Sequence, residues 1–316
     1  MRAAAYFAVV SALALWAGNW IVARAVRDDI APGLITTSRV VLVMLTLAPI
    51  AIPGLLARLR AFAARDWAVL AALGLFGGGV HNAMQYLGLH YTTATNGTLF
   101  FSLSPVTIMV LAGLVLSERM RAMQWVGVAV SFAGVLVIAL RGEVGALARL
   151  SFNPGDILCF VSMIFWSAYT ICLRLQRTPL GPIQLLFMVC ALGLVTLVPW
   201  LAWDLANDPR AQFNLNGTLA VLYSAFASVI LAYAGWNYAV SRLGAARTGG
   251  FSHLLPAFGV MFSALFLGEY PLWYHFVGIV LIVAGIALSS LKASSASSSR
   301  SAPGSRDRRA RCRETR

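Results

Sequence analysis

The sequence predicts an all-α integral membrane protein, with ten transmembrane helices in two inverted five-helix repeats. Three observations predict it. Hydrophobic residues make up 59% of the chain and charged residues 11%, against roughly 25% charged in a soluble domain. Apolar runs long enough to cross a bilayer recur along nearly the whole chain. The sequence also resembles itself when displaced by 151 residues.

A membrane-spanning helix needs about 20 mostly apolar residues. Such runs lie near 4–23, 33–53, 67–88, 92–116, 121–140, 155–174, 182–202, 216–239, 247–268 and 273–290. The fourth and ninth are the least regular, because Pro105 and Pro256 interrupt them. The first begins after Arg2 like a signal peptide but runs on through Trp16, Asn19, Trp20 and Ile21. It is therefore expected to remain as a span rather than to be cleaved.

The formal charge is +13. Eight of the 24 basic residues lie from Lys292 onward, and most others fall in the gaps between apolar runs. That distribution sets membrane topology and excludes a folded nucleic-acid-binding face. Basic residues fall mainly in one alternate set of connections, comprising Arg2, the 58–65 loop, Arg119 and Arg121, Arg174 and Arg177, and Arg242 and Arg247. The other set holds Arg24, Arg27, Arg141, Arg149 and Arg210. The tail joins the first set, so both termini are expected in the cytoplasm, in agreement with an even number of spans. Residues 292–316 are Ser-rich and then basic, without apolar periodicity, and are expected to be a disordered tail. Such a tail can also attract anionic lipid.

The displacement by 151 residues brings Pro105 onto Pro256, Glu118 onto Glu269, Gly127 onto Gly278 and Gly134 onto Gly285. A displacement one residue shorter brings Trp16 onto Trp166, Arg24 onto Arg174 and Arg27 onto Arg177. Residues 1–145 and 151–291 thus form two copies. Five spans per copy is an odd number, so the second copy enters the membrane from the opposite side. Inverted repeats of this kind allow the two halves to exchange conformations and move an opening across the membrane.

The pattern resembles the drug/metabolite transporter superfamily, in its EamA-type ten-helix branch. The resemblance rests on Trp16 to Asn19, the stretch from Gly88 to Asn96, Pro105, Glu118, Gly127 and Gly134. It continues with Gly155-Asp156, Trp166, Tyr169, Pro256, Glu269, Gly278 and Gly285. It implies ten helices, alternating access about a central cavity and export of metabolites from a bacterium across its inner membrane. It does not specify the substrate.

The residues also suggest where a solute binds. Asn82, Gln85, Tyr86 and His90 share one stripe of the third span. Tyr233, Trp236 and Asn237 share the matching stripe of the eighth. Trp16 and Asn19 in the first span are matched by Trp166 and Tyr169 in the sixth, and the ninth adds His253. Polar groups at membrane depth usually face a bundle interior or a wet cavity, so these residues are candidate substrate contacts. Pro105 and Pro256 deprive the carbonyls of Phe101 and Ser252 of their helical donors and are expected to bend their helices. The glycine pairs are expected to permit close helix packing, and Glu118 and Glu269 to serve local caps or ion pairs. Arg39, the permanent charge of the second span, is expected to snorkel or to pair structurally ahead of meeting a substrate carboxylate.

No Asp or Glu lies deep in a span, and no nucleophile–base or metal-type spacing occurs. Cys159, Cys172 and Cys190 lie in apolar runs and Cys312 in the tail, without ligand spacing. No metal or cofactor is expected, and an intramembrane enzyme or a purely structural membrane protein is the alternative that loses. The favoured reading is a carrier of small neutral or zwitterionic solutes, amino acids or their relatives, with the bilayer and that solute as its partners.

Overall fold

The computed structural model describes residues 2–92, 100–118, 121–143, 145, 153–267 and 271–290. Among the described residues all regular structure is helical. The principal helices are α1 (Arg2–Ala25), α2 (Pro32–Ala51), α3 (Ala64–Tyr91), α4 (Ser104–Leu116), α5 (Ala122–Ala139), α6 (Pro154–Leu175), α7 (Pro182–Asn207), α8 (Leu215–Leu243), α9 (Leu254–Leu267) and α10 (Trp273–Ser290). Among the described residues α1, α2, α3, α5, α6, α7 and α8 are long and apolar enough to cross a membrane. The helices α4 and α10 are shorter apolar helices. Part of the expected fourth span, Glu269 and the tail lie outside the described residues.

Local chemistry sets the helix ends. Proline occupies the first turn of α2, α6 and α7, where its missing N–H has no intrahelical role. Asn153 accepts the Asp156 amide at 3.1 Å and Asp156 accepts the Asn153 amide at 2.8 Å, a reciprocal cap on α6. Asn214 accepts the Gly217 amide at 2.7 Å and starts α8. Gly244, at φ 90°, ends α8 in a conformation closed to most side chains.

The prolines expected to bend the fourth and ninth spans lie near the starts of α4 and α9. Pro105 is in the first turn of α4, and Pro256 is the third residue of α9. Before α9 runs a short helix, Ala245–Gly250, and then a tighter turn, Phe251–His253. Each proline therefore sits in a first turn, where the lost hydrogen bond costs least.

Two wide turns have no sequence signal. Residues Gly74–Val80 in α3 and Ser224–Leu231 in α8 are π-helical. They sit at matching places under the 151-residue displacement. In α3 the glycines of this turn let α7 approach closely. A methyl on Gly78 would lie 3.2 Å from the Gly193 Cα.

Helix contacts recur in matched sets. The pair α3–α6 runs antiparallel, with Gly88 against Gly155 and Cys159 and His81 against Ser162. The pair α1–α8 is antiparallel too, with Gly235 against Ala8 and Trp16 bonded to Ser228. The pair α5–α10 is held by its glycines. A methyl on Gly127 would lie 2.6 Å from Gly285 O, and one on Gly134 would lie 2.6 Å from Gly278 O. The glycines thus act as the close-approach points expected of them. Glu118 takes the local ionic role expected, 3.9 Å from Arg174.

Candidate functional site

The polar stripes and aromatic residues converge where α1, α2, α3, α6 and α8 meet. Trp16 and Trp166 pack edge to face with centroids 5.0 Å apart. Trp236 lies 5.5 Å from Trp16 and 5.2 Å from Trp166. Tyr233 packs on both indoles, at 5.8 and 5.7 Å, and Tyr169 stacks on Trp166 at 5.2 Å. Aromatic pairs of this geometry contribute about 0.5–1.5 kcal/mol each beyond burial. The cluster is therefore stiff as well as apolar.

Polar groups close over it. Arg39 donates to Tyr86 Oη at 2.9 Å and to Asn82 Oδ1 at 2.6 Å. Its guanidinium carbon lies 4.6 Å from the Tyr86 ring centroid. Asn82 Nδ2 reaches Gly77 O at 2.8 Å, in the wide turn of α3, and Tyr233 Oη at 3.3 Å. Tyr233 in turn donates to Gly77 O at 2.9 Å. Asn19 donates to Tyr86 Oη at 3.1 Å and accepts from Ser224 at 2.6 Å. Tyr169 donates to Asn237 at 2.8 Å, and Trp16 Nε1 to Ser228 O at 3.0 Å.

Two cavities border this assembly. A vestibule of about 690 Å³ is walled by Ala17, Trp20, Ile35, Tyr86, His90, Arg141 and Pro256, among others. It lies toward the C-terminal ends of α1 and α3. Below it a space of about 20 Å³ is lined by Trp16, Asn19, Arg39, His81, Asn82, Gln85, Trp166 and Tyr233, among others. That is room for about one water. Tyr86 and Trp20 stand at their junction, Tyr86 lining the first and binding Arg39 of the second, and Trp20 lining both. On the far side of the aromatics, Val9, Leu13, Ala239 and Val240 are buried in the core.

The structure therefore brings together Trp16, Asn19, Asn82, Gln85, Tyr86, Trp166, Tyr169, Tyr233, Trp236 and Asn237. His253 stands apart. It is fully buried and bonded to Ser131 Oγ and, at 2.7 Å, to Ser102 O, and it walls neither cavity. Pro256 lines the vestibule and Pro105 does not. Arg39 does not snorkel. It is 2% exposed and points inward, to partners on α3. Its one signal in the sequence was a permanent charge inside a span. His81 was also absent from the expected stripe. It lies in the same small space, its Nδ1 against Ser162 O at 3.0 Å.

Outside the spans, Asp208 and Arg210 form a two-point ion pair at 2.9 and 2.6 Å. The bond from Arg210 holds the Asp208 carboxyl below the usual carboxylate range. Arg210 also donates to Arg27 O at 3.1 Å, tying this loop to the end of α1.

Comparison with known proteins gives the family. The sequence model described as the EamA-like transporter family matches residues 3–140 and again 153–291. An "Uncharacterized transporter" of Archaeoglobus fulgidus is 30% identical over 72% of this chain and 77% of its own. A "Probable terminal-alkyne amino-acid exporter" of Streptantibioticus cattleyicolor is 27% identical over 96% of this chain and 98% of its own. A solved crystal structure superposes with a TM-score of 0.74 at 20% identity, covering 92% of this chain and 97% of that one, which speaks to the fold alone. Family and relatives are multi-pass membrane transporters and not enzymes, and the chain belongs to the EamA-like transporter family.

Proposed function

We propose that this protein is a ten-helix carrier of two inverted five-helix repeats, residues 1–145 and 151–291, that exports amino acids or related small metabolites by alternating access. One observation carries the reading. The vestibule ends on a buried floor of indoles, phenols and amides, while apolar core closes the other side of that floor. A solute held at such a floor is reached from one end of the bundle at a time.

The inversion draws support from reciprocal contacts. Gly127 meets Gly285 and Gly134 meets Gly278. These four are two positions of one repeat and their 151-residue counterparts, each contacting the other's counterpart. Reciprocity of that kind is the mark of a two-fold axis. The distribution of arginines supports a cytoplasmic location for both termini. The vestibule, at the opposite end of α1, then faces outward, in the inner membrane of a bacterium. The relative named for amino-acid export supports the substrate class.

Purified protein in liposomes tests the proposal, with counterflow of a panel of labelled amino acids. At least one is expected to exchange faster than in empty vesicles. Trp166→Ala is expected to slow that exchange while the protein remains in the membrane. Exchange at the empty-vesicle rate for every solute overturns the reading.

A further inference from the structure

We propose that Arg39 is the anchor for a carboxylate on the transported solute, with Tyr86 holding its place while the site is empty. The inference rests on the transport reading above and narrows its substrates to organic carboxylates.

The first observation is an uncompensated charge. Arg39 is buried in mid-helix, and its partners, Tyr86 and Asn82, are neutral. Among the described residues no carboxylate lies within ion-pair distance of it, and its Nε has no hydrogen-bond partner. Burying a cation without a counter-charge is costly, and removing that deficit favours an anionic occupant.

A second observation is independent of charge. The other buried nitrogens without a partner among the described residues are Trp166 Nε1 and Trp236 Nε1. Both only donate. Trp166 shares the small space with Arg39, and Trp236 packs on Trp166. Unfilled groups that all donate, one of them charged, complement a group that only accepts and carries negative charge.

The approach is suited to an anion as well. Arg27 and Arg141 stand in the vestibule wall, which contains no Asp or Glu among the described residues. Arg27 is paired with Asp28 at 3.2 Å, so among the described residues Arg141 is the cation of this wall without an ion pair.

The small space is too tight for a solute. A carboxylate therefore reaches Arg39 by replacing the Tyr86 hydroxyl, which already borders the vestibule. The rest of the solute stays above, against Trp20.

Matched ligand pairs test this. N-acetylphenylalanine and N-acetylalanine are each compared with their amides, which keep the shape but replace the anionic acceptor by a neutral group, by tryptophan fluorescence of the purified protein in nanodiscs. At least one acid is expected to bind roughly tenfold to a hundredfold more tightly than its amide. Arg39→Gln is expected to abolish that preference and Arg39→Lys to keep part of it. Tyr86→Phe, which removes the competing hydroxyl, is expected to tighten acid binding, and it decides the matter where Arg39→Gln does not fold. Equal binding of acid and amide, a preference that survives Arg39→Gln, or weaker acid binding in Tyr86→Phe overturns the proposal. Failure of the transport reading looks different: the acid binds, and no solute crosses the liposome.

Discussion

Asn82 donates to Tyr233 at 3.3 Å, and the two residues stand 151 positions apart, at the same place in the two halves of the sequence. Asn82 also accepts from Arg39 and caps the wide turn of α3 at Gly77. One amide thus joins the buried charge, the π-helical turn and the opposite half.

Replacing it separates those roles. Asn82→Leu removes the acceptor of a buried guanidinium and the donor to Gly77. Losing a buried hydrogen bond to a charged group costs about 1.5–3 kcal/mol, so the melting temperature in detergent should fall clearly. Asn82→Asp instead supplies Arg39 with an internal carboxylate. That variant is expected to melt no lower than Asn82→Leu and yet to exchange no solute. A fully active Asn82→Asp in counterflow contradicts the role given to the Arg39–Asn82 contact.

The glycine contacts between α5 and α10 lead to a prediction about symmetry. Gly127 and Gly278 are counterparts, and each faces carbonyl oxygen of the other helix. An alanine at either site presses a methyl against backbone, and overpacking of this sort costs about 1–3 kcal/mol. Gly127→Ala and Gly278→Ala are therefore expected to lower thermal stability by similar amounts. Gly54→Ala is a control for open space, since nothing lies near its Cβ position, although its φ of 71° adds local strain. A loss at one of the two counterparts only would speak against the two-fold relation.

The pair α2–α7 is latched at both ends, by different chemistry. Asp204, near the end of α7, accepts the Gly33 amide at 2.6 Å in the first turn of α2, where a carboxylate also favours the helix dipole. At the other end Gln184 donates to Ala51 O at 3.1 Å and to Pro53 O at 3.3 Å. Asp204→Ala should loosen the vestibule end and Gln184→Ala the opposite end. A cysteine at Ala17, in the vestibule wall, reads the difference through an impermeant maleimide. Its labelling is expected to rise with Asp204→Ala and to fall with Gln184→Ala. The same change in both variants would show that the latches do not set the direction of opening.

Much of this was legible in the sequence because bilayer physics leaves few options. Long apolar runs, arginines in alternate connections and a repeated Pro, Glu and Gly register are all one-dimensional signals. The stripe Asn82, Gln85, Tyr86 was legible for the same reason, since polar side chains at membrane depth need company. What the sequence hid depends on three dimensions. The inward turn of Arg39 required knowing that Tyr86 and Asn82 stand opposite it. The isolation of His253 required the partners Ser131 and Ser102, on segments remote in sequence. The π-helical turns leave no periodic trace, because one wide turn shifts the register by a single residue.

The Asp208–Arg210 pair makes stability depend on pH at the loop between α7 and α8. Three hydrogen bonds from Arg210, two from its side chain and one from its backbone amide, hold the Asp208 carboxyl below its unfolded range. A depressed carboxyl stabilises the folded protein above the unfolded range, and that contribution is lost as pH falls through the folded value. The pair is partly exposed, so its worth is modest, about 0.5–1 kcal/mol. Asp208→Asn is expected to melt lower than the natural protein at neutral pH. The difference is expected to close as the pH is taken below the ordinary carboxylate range. Because Arg210 also bonds Arg27 O, the variant should in addition free the end of α1, seen as faster hydrogen exchange at residues 26–30. A melting difference that stays constant with pH would assign the effect of Asp208→Asn to packing rather than to charge.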